Sequence, residues 1–175
     1  MAERAKPAEP AAPAERPETV DPALLDIGQL ALFAGLAANE RATEALAAAG
    51  FESLRFSHGF LFQHLVDGPR TMSELARLQE VSVQAVSKAV NELAADGYLD
   101  ITTDDADRRT RVVALSERGW AAVKRARTAR TRQDKLLARS LGPDRVDQLR
   151  RDLADVLAAL GGIEAVQVRN VRLPS

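Results

Sequence analysis

Apolar residues recur three or four positions apart through most of the chain, which predicts a mainly helical protein. Asp21 and the proline after it signal a helix start, and the pattern continues to about residue 50 with a break expected near Asn39. A second helix is predicted from about residue 53 to 66. Residues 1–20 are rich in Ala, Pro and Glu and have little apolar surface to bury, so they are predicted to be a disordered tail.

Two short helices are predicted in the middle of the chain. Thr71 and Glu74 have the spacing of a capping box, in which each side chain bonds the backbone of the other, and this helix ends near Gln79. Ser82 is the predicted N-cap of the next helix. Its core face is expected to carry Val83, Val86, Val90 and Leu93, and its opposite face Gln84, Ser87, Lys88 and Asn91.

The pattern then changes to strands. Residues 98–101 and 111–115 predict a β-hairpin with a long polar tip. Ser116 is expected to cap a helix that runs to about residue 140 and buries Trp120 and Val123. A last helix covers about 146–160, and residues 163–175 are predicted to be a short extended tail.

These elements predict a fold class that is mainly α with a small β-hairpin. We expect a winged helix-turn-helix lobe at residues 51–115, flanked by an N-terminal helix region at 21–50 and long C-terminal helices at 116–162. The flanking helices have more apolar surface than one small lobe can cover, so they are expected to pair with a second copy.

Composition narrows the function. The chain has 175 residues, no Cys and a net charge of −1, so thiol chemistry is excluded and any nucleic-acid role must rest on local charge. Residues 71–107 contain two basic and eight acidic side chains, whereas residues 108–132 contain nine basic and one acidic. With no apolar run of about 18 residues and no secretory signal, a cytoplasmic protein is expected.

The second helix of the helix-turn-helix and the hairpin carry the candidate DNA-binding chemistry. Short or flexible hydrogen-bonding side chains on an outward helix face suit base edges in a major groove, and arginines on a hairpin suit phosphates or a narrow minor groove. The candidate residues are Ser82, Gln84, Ala85, Ser87, Lys88 and Asn91 on the helix, with Asp107, Arg108, Arg109 and Arg111 on the hairpin.

Four sequence pieces together resemble the MarR family of bacterial transcriptional regulators: residues 71–76, 97–99, 107–109 and 115–119. The resemblance implies a homodimer built from the terminal helices, a recognition helix at residues 82–95, and a wing in which Asp107 orients Arg109 toward the minor groove. Thr102 and Thr103 stand where many members have a basic residue, and Lys88 is the only cation of the recognition helix.

The same resemblance suggests a small-molecule pocket for aromatic acids or related compounds, lined by Phe51, Phe56, His58 and Phe60. Aromatic residues at helical spacing more often form plain core, and that alternative stays open. His58 and His64 are six positions apart and share no helix face, so no metal site is expected. No cofactor is expected either.

These observations favour a sequence-specific, dimeric DNA-binding transcriptional regulator, a repressor released by a small-molecule effector. Its expected partners are a pseudo-palindromic double-stranded operator and a second copy of the chain. The alternative is a winged-helix protein-interaction module with little DNA affinity, which the acidic balance of residues 71–107 would allow. We do not expect an enzyme, since no paired carboxylates, phosphate loop or nucleophile set stands out.

Overall fold

A computed structural model describes residues 20–103 and 108–167. A 3₁₀ turn at Pro22–Leu24 precedes seven helices and three short strands in this part of the chain. In order they are α1 (Ile27–Ala47), α2 (His58–Leu65), β1 (Arg70–Thr71), α3 (Met72–Gln79), α4 (Val83–Ala95), β2 (Leu99–Thr103), β3 (Arg111–Leu115), α5 (Glu117–Leu141), α6 (Pro143–Ala159) and α7 (Ile163–Gln167). The predicted tail at residues 1–20 lies outside the described residues, apart from its last position.

Three predicted helix starts are confirmed by side-chain caps. The backbone N–H of Thr71 donates to Glu74 Oε2 at 2.8 Å, and the N–H of Glu74 donates to Thr71 Oγ1 at 3.2 Å, which completes the capping box of α3. The hydrogen bonds from Thr71 lower the pKa of Glu74, because they favour the carboxylate. Ser82 accepts the N–H of Ala85 and Ser116 the N–H of Gly119, so each serine side chain caps its helix without a reciprocal partner.

The N-terminal helix differs from its prediction in two respects. Asp21 caps only the 3₁₀ turn, and Asp26 caps α1 by accepting the N–H of Gln29 at 2.9 Å. The break expected near Asn39 is wrong: its side-chain amide donates to the carbonyl of Gly35, one turn earlier, so the residue is accommodated within a continuous helix.

Two further boundaries are corrected. The second helix begins at His58 and not near residue 53, because the segment before it forms turns in which Leu54 is buried and the Arg55 N–H donates to His58 Nδ1. The extended tail predicted after residue 162 is wrong for Ile163–Gln167, which is helical, and residues 168–175 lie outside the described part of the chain.

The predicted hairpin is part of a three-stranded antiparallel sheet with the order β1-β3-β2. Leu99 pairs with Leu115 and Thr103 with Arg111, so the hairpin register is continuous from its base to its outer end. The third strand, β1, has only two residues, which is too short for alternation to reveal it in the sequence. Because β1 leads directly into α3, its pairing with β3 places the hairpin beside the N-terminus of α3.

One hydrophobic core joins α2, α3, α4 and the hairpin to the first turns of α5. Tyr98, Leu75, Val90 and Leu93 are fully buried in it. Arg118 covers its edge, with its guanidinium 4.8 Å from the centre of the Tyr98 ring and an Nη2 donating to the carbonyl of Gly50 at 3.0 Å. Arg118 of α5 therefore contacts both the core of the lobe and the turn after α1.

The terminal helices form a second layer outside this lobe. α1 packs along α5, where Gln133 Nε2 donates to the carbonyl of Ala38 at 2.7 Å, and α6 packs back on α5. Trp120, predicted to be buried, is 44% exposed, because Gly119 and Ala122 form the face of α5 that meets the core. Val123 is half-buried against that core.

None of the helices in residues 20–103 and 108–167 is long and apolar enough to cross a membrane.

Candidate nucleic-acid interface

The outer face of α4 is polar and open to solvent. Val86, Val90 and Leu93 anchor the helix in the core and bury one side of it from its second turn onward. The residues predicted to face outward do so: Gln84, Lys88 and Asn91 are exposed or partly exposed, and Ser87 is on the same open side. The helix can therefore present these side chains to a ligand without any change in packing.

Some of these side chains are engaged within the helix itself. Ser82 Oγ accepts the N–H of Ala85 at 3.1 Å, so its hydroxyl oxygen serves as the N-cap. Asn91 Nδ2 donates to Ser87 Oγ at 3.4 Å, a contact that orients the amide along the exposed face. Gln84 and Lys88 are the long polar side chains of this exposed face.

The prediction for Val83 is wrong. It was expected to lie on the core face, but its side chain is 49% exposed, and Val81 in the preceding turn is 45% exposed. Val83 is the first residue of α4, and the buried stripe of the helix begins only at Val86. Helical spacing alone does not show where along a helix the core ends.

The hairpin carries the predicted cations, and one of them, Arg111, lines a cavity together with Asn91 of α4. Arg108 and Arg109 lie in the exposed turn at the outer end of the wing, and Arg111 is exposed at the start of β3. Asp107 lies outside the described residues, so its expected role in orienting Arg109 stays a prediction.

A cavity of about 560 Å³ separates α4 from the wing. Its lining residues are Asn91, Ile101, Thr102, Thr103 and Arg111. In the sequence, the two threonines stand out only because they occupy a position where a basic residue was expected. Strand pairing places Arg111 directly opposite Thr103, so a cation lies beside that position on the neighbouring strand. Amide, hydroxyl and guanidinium groups thus line one gap, and these are groups that contact DNA phosphates.

A second cavity, of about 400 Å³, lies between α1, α2 and α5. Two of the four predicted pocket residues, Phe56 and His58, line it. Phe51 and Phe60 are not among its lining residues. Phe51 packs against Tyr98 of the core, with ring centroids 6.3 Å apart, and Phe60 packs edge-on against Phe56 at 5.1 Å. The structure therefore brings two of the four predicted residues to this cavity, and whether the cavity takes an effector stays a prediction.

The walls of this cavity combine apolar and cationic groups. Its apolar lining includes Leu46, Phe62 and Val123, and its cations are Arg55, Arg127 and Arg130, with no carboxylate among the lining residues. Burial and then the charge of Arg55 lower the pKa of His58, so its neutral imidazole is favoured and accepts the Arg55 N–H. The arginines of α5 were not predicted, because only the fold brings that helix to α2.

Apolar side chains remain exposed on the terminal helices. A large apolar side chain that is about half exposed on a long helix is typical of a surface that a partner covers. The members of this set are Leu24, Ile27, Leu30, Leu32, Phe33 and Leu36 near or on α1, Leu136, Leu137 and Leu141 on α5, Leu149, Leu153 and Leu160 on or after α6, and Ile163 and Val166 on α7.

A short capped helix, a tight turn, a second helix with an outward polar face and a cationic β-hairpin together define a winged helix-turn-helix protein. Residues 56–110 match the sequence model of the MarR family. The resemblance to this family seen in the sequence is thereby confirmed for this part of the chain.

Solved structures share the fold over a longer stretch. RV1404 from Mycobacterium tuberculosis is 23% identical, with a TM-score of 0.67 over 84% of this chain and 98% of that one. A point mutant of MarR from E. coli, solved in complex with operator DNA, is 19% identical, with a TM-score of 0.55 over 75% and 93%. A point mutant of MepR from S. aureus, bound to an oligodeoxyribonucleotide, is 18% identical, with a TM-score of 0.56 over 78% and 99%. No curated protein sequence matches the chain significantly.

Proposed function

We propose that the protein is a dimeric, sequence-specific DNA-binding regulator of transcription. The observation that carries the proposal is the exposed polar face of α4 beside the wing, with amide, hydroxyl and guanidinium groups lining the gap between them. In this docking geometry the helix enters a major groove while the wing contacts the adjoining backbone or minor groove. Structures with the same fold, from E. coli and S. aureus, contain DNA.

The proposed dimer supports two-site recognition. Pairing of the apolar surfaces on α1, α6 and α7 would bury side chains that the single chain leaves in water. A two-fold dimer presents two copies of α4, so the operator is expected to be pseudo-palindromic.

The distribution of basic and acidic residues makes the wing important for the affinity of the lobe for DNA. α4 has one cation, Lys88, and two acidic residues at or near its end, Glu92 and Asp96. Most of the positive charge near the lobe therefore belongs to the wing and α5. A lobe of this kind binds DNA only if the wing arginines reach it, because phosphate contacts supply most of the non-specific affinity.

The experiment is selection of duplexes from a random pool, followed by salt titration of the best binder. Arg109→Ala is expected to weaken binding to the selected duplex by about 1–3 kcal/mol and to lower the slope of log K against log salt by about one unit, since one cationic contact is lost. Arg145→Ala is the matched control, because it removes an exposed arginine from α6, and it should change neither value.

Failure to enrich any sequence, together with a shallow salt slope on random duplex, would contradict DNA binding. That outcome would favour the protein-interaction module.

We further propose that the protein is a repressor and that the cavity between α1, α2 and α5 takes a small effector that releases it from DNA. The cavity lining combines three arginines with apolar side chains, which favours an anionic compound with a flat apolar body, such as an aromatic carboxylate. The cavity joins the lobe to a terminal helix, so a bound molecule can shift the distance between the two α4 helices of a dimer.

Benzoate is expected to raise the melting temperature and to weaken operator binding, whereas neutral benzamide should do neither. Arg130→Ala should reduce the benzoate response severalfold, because a cation that lines the cavity is lost. Arg132→Ala, two residues further along α5 and not among the residues that line this cavity, is the control. Equal responses in the two variants would place the binding site elsewhere.

A further inference from the structure

The start of α4 presents an apolar edge that the fold does not use. Val81 and Val83 flank the N-cap Ser82 and are each nearly half exposed. Among the described residues of the lobe from 58 to 115, they are the only large hydrophobic side chains exposed to this degree. The other exposed apolar residues lie on the terminal helices, before α2 or on α5, so the proposed dimer does not explain these two.

The hydrogen-bonding groups beside these valines are few. Ser82 Oγ is already the acceptor for the Ala85 N–H, and Ala85 itself offers only an exposed methyl group. Gln84 is the one long polar side chain in the first turn of the helix. The N-terminal turn of the helix is therefore mostly apolar where a recognition helix makes its base contacts.

Only one group on the base edges of the major groove is apolar, the C5-methyl of thymine. We propose that Val81 and Val83 contact thymine methyl groups, so that each half-site carries thymine beneath the start of α4. This inference rests on the proposed DNA-binding function and adds the base that the helix reads. Such contacts would let α4 discriminate between DNA sequences although Lys88 is its only cation.

DNA fits this edge better than a protein partner does. The two half-exposed valines have the polar residues Glu80, Ser82 and Gln84 next to them in the sequence, so they form a small apolar patch in a polar stretch. A stable protein interface buries on the order of 1,200 Å² or more in total, which needs a larger apolar centre than two side chains. A methyl group in a groove needs only a contact of this size.

The test replaces each thymine of the selected duplex by deoxyuridine, which lacks the C5-methyl and keeps the same hydrogen-bonding edge. The full-length protein is expected to lose about fourfold in affinity at one or two thymines per half-site, which is the value of one buried methyl group. Replacement of thymines outside the half-sites should have no effect.

Variants show whether the valines are responsible. Val83→Ala and Val81→Ala should each bind the thymine duplex more weakly and bring the thymine-to-deoxyuridine affinity ratio at one position close to one. Because both residues are nearly half exposed, the melting temperatures of the two variants should equal that of the wild type. Lys88→Ala is the control: it should weaken binding to both duplexes equally and leave the ratio unchanged, because an ammonium group does not depend on a methyl.

The outcomes separate this inference from the function on which it rests. Enrichment of a sequence whose affinity is insensitive to every deoxyuridine would overturn the methyl contact and leave DNA binding intact. A sensitive position whose ratio is unchanged in both valine variants would also overturn it, because another side chain would then make the contact. Failure to enrich any sequence contradicts the proposed function itself.

Discussion

Leu153→Asp is expected to convert the protein from a dimer to a monomer. Leu153 is 45% exposed at the centre of α6, in line with Leu149 and Leu160 on the same apolar stripe. If a second copy covers this stripe, the substitution places an unpaired carboxylate in an apolar contact at both symmetry-related positions. Such a burial costs on the order of 3–5 kcal/mol, which corresponds to more than a hundredfold weaker association.

The measurement is the molar mass at micromolar concentration, by light scattering or sedimentation. Ala158→Asp is the matched control, since it introduces the same charge on the opposite side of α6 and should leave the dimer intact. The monomeric variant should also lose most of its affinity for a duplex with two half-sites, while its lobe keeps its fold. A Leu153→Asp variant that stays dimeric with unchanged stability would show that α6 is not the contact.

Gly119→Ala is expected to unfold the lobe or to lower its free energy of unfolding by about 3 kcal/mol. A Cβ at this position would overlap the backbone carbonyl oxygen of Tyr98 and approach Leu115 Cδ2 to 3.1 Å. The carbonyl has little freedom to move, because it accepts the N–H of Ser116 at 3.1 Å and the Tyr98 side chain is fully buried. The first turn of α5 would have to lift from the hairpin.

Thermal and urea unfolding measure this effect. Gly59→Ala is the control, because Gly59 is also in a helix and a Cβ there would meet nothing within 4 Å. Alanine is the better helix former by about 1 kcal/mol, so the control should be neutral or stabilising. If Gly119→Ala were as stable as the wild type, the contact between α5 and the hairpin would have to be looser than the structure describes.

Local signals in the sequence were reliable where a few neighbouring residues decide the conformation. The capping box of Thr71 and Glu74 and the serine caps at positions 82 and 116 act within one helical turn. The chain order of these elements then indicated the winged helix. The motif at 115–119 was visible as a resemblance, but its physical roles needed the fold: Arg118 covers Tyr98, and Gly119 leaves room for the Tyr98 carbonyl.

Tertiary structure decided whatever depends on residues distant in sequence. Helical spacing put Val83 and Trp120 in the core, but the positions of α3 and the hairpin leave both in solvent. β1 exists because β3 lies beside it, since two residues cannot form a strand alone. The cavity between α1, α2 and α5 draws two of its three arginines, Arg127 and Arg130, from α5, about 70 residues after His58. Periodicity reports which side of an element is apolar, and only packing decides how far along it the core extends.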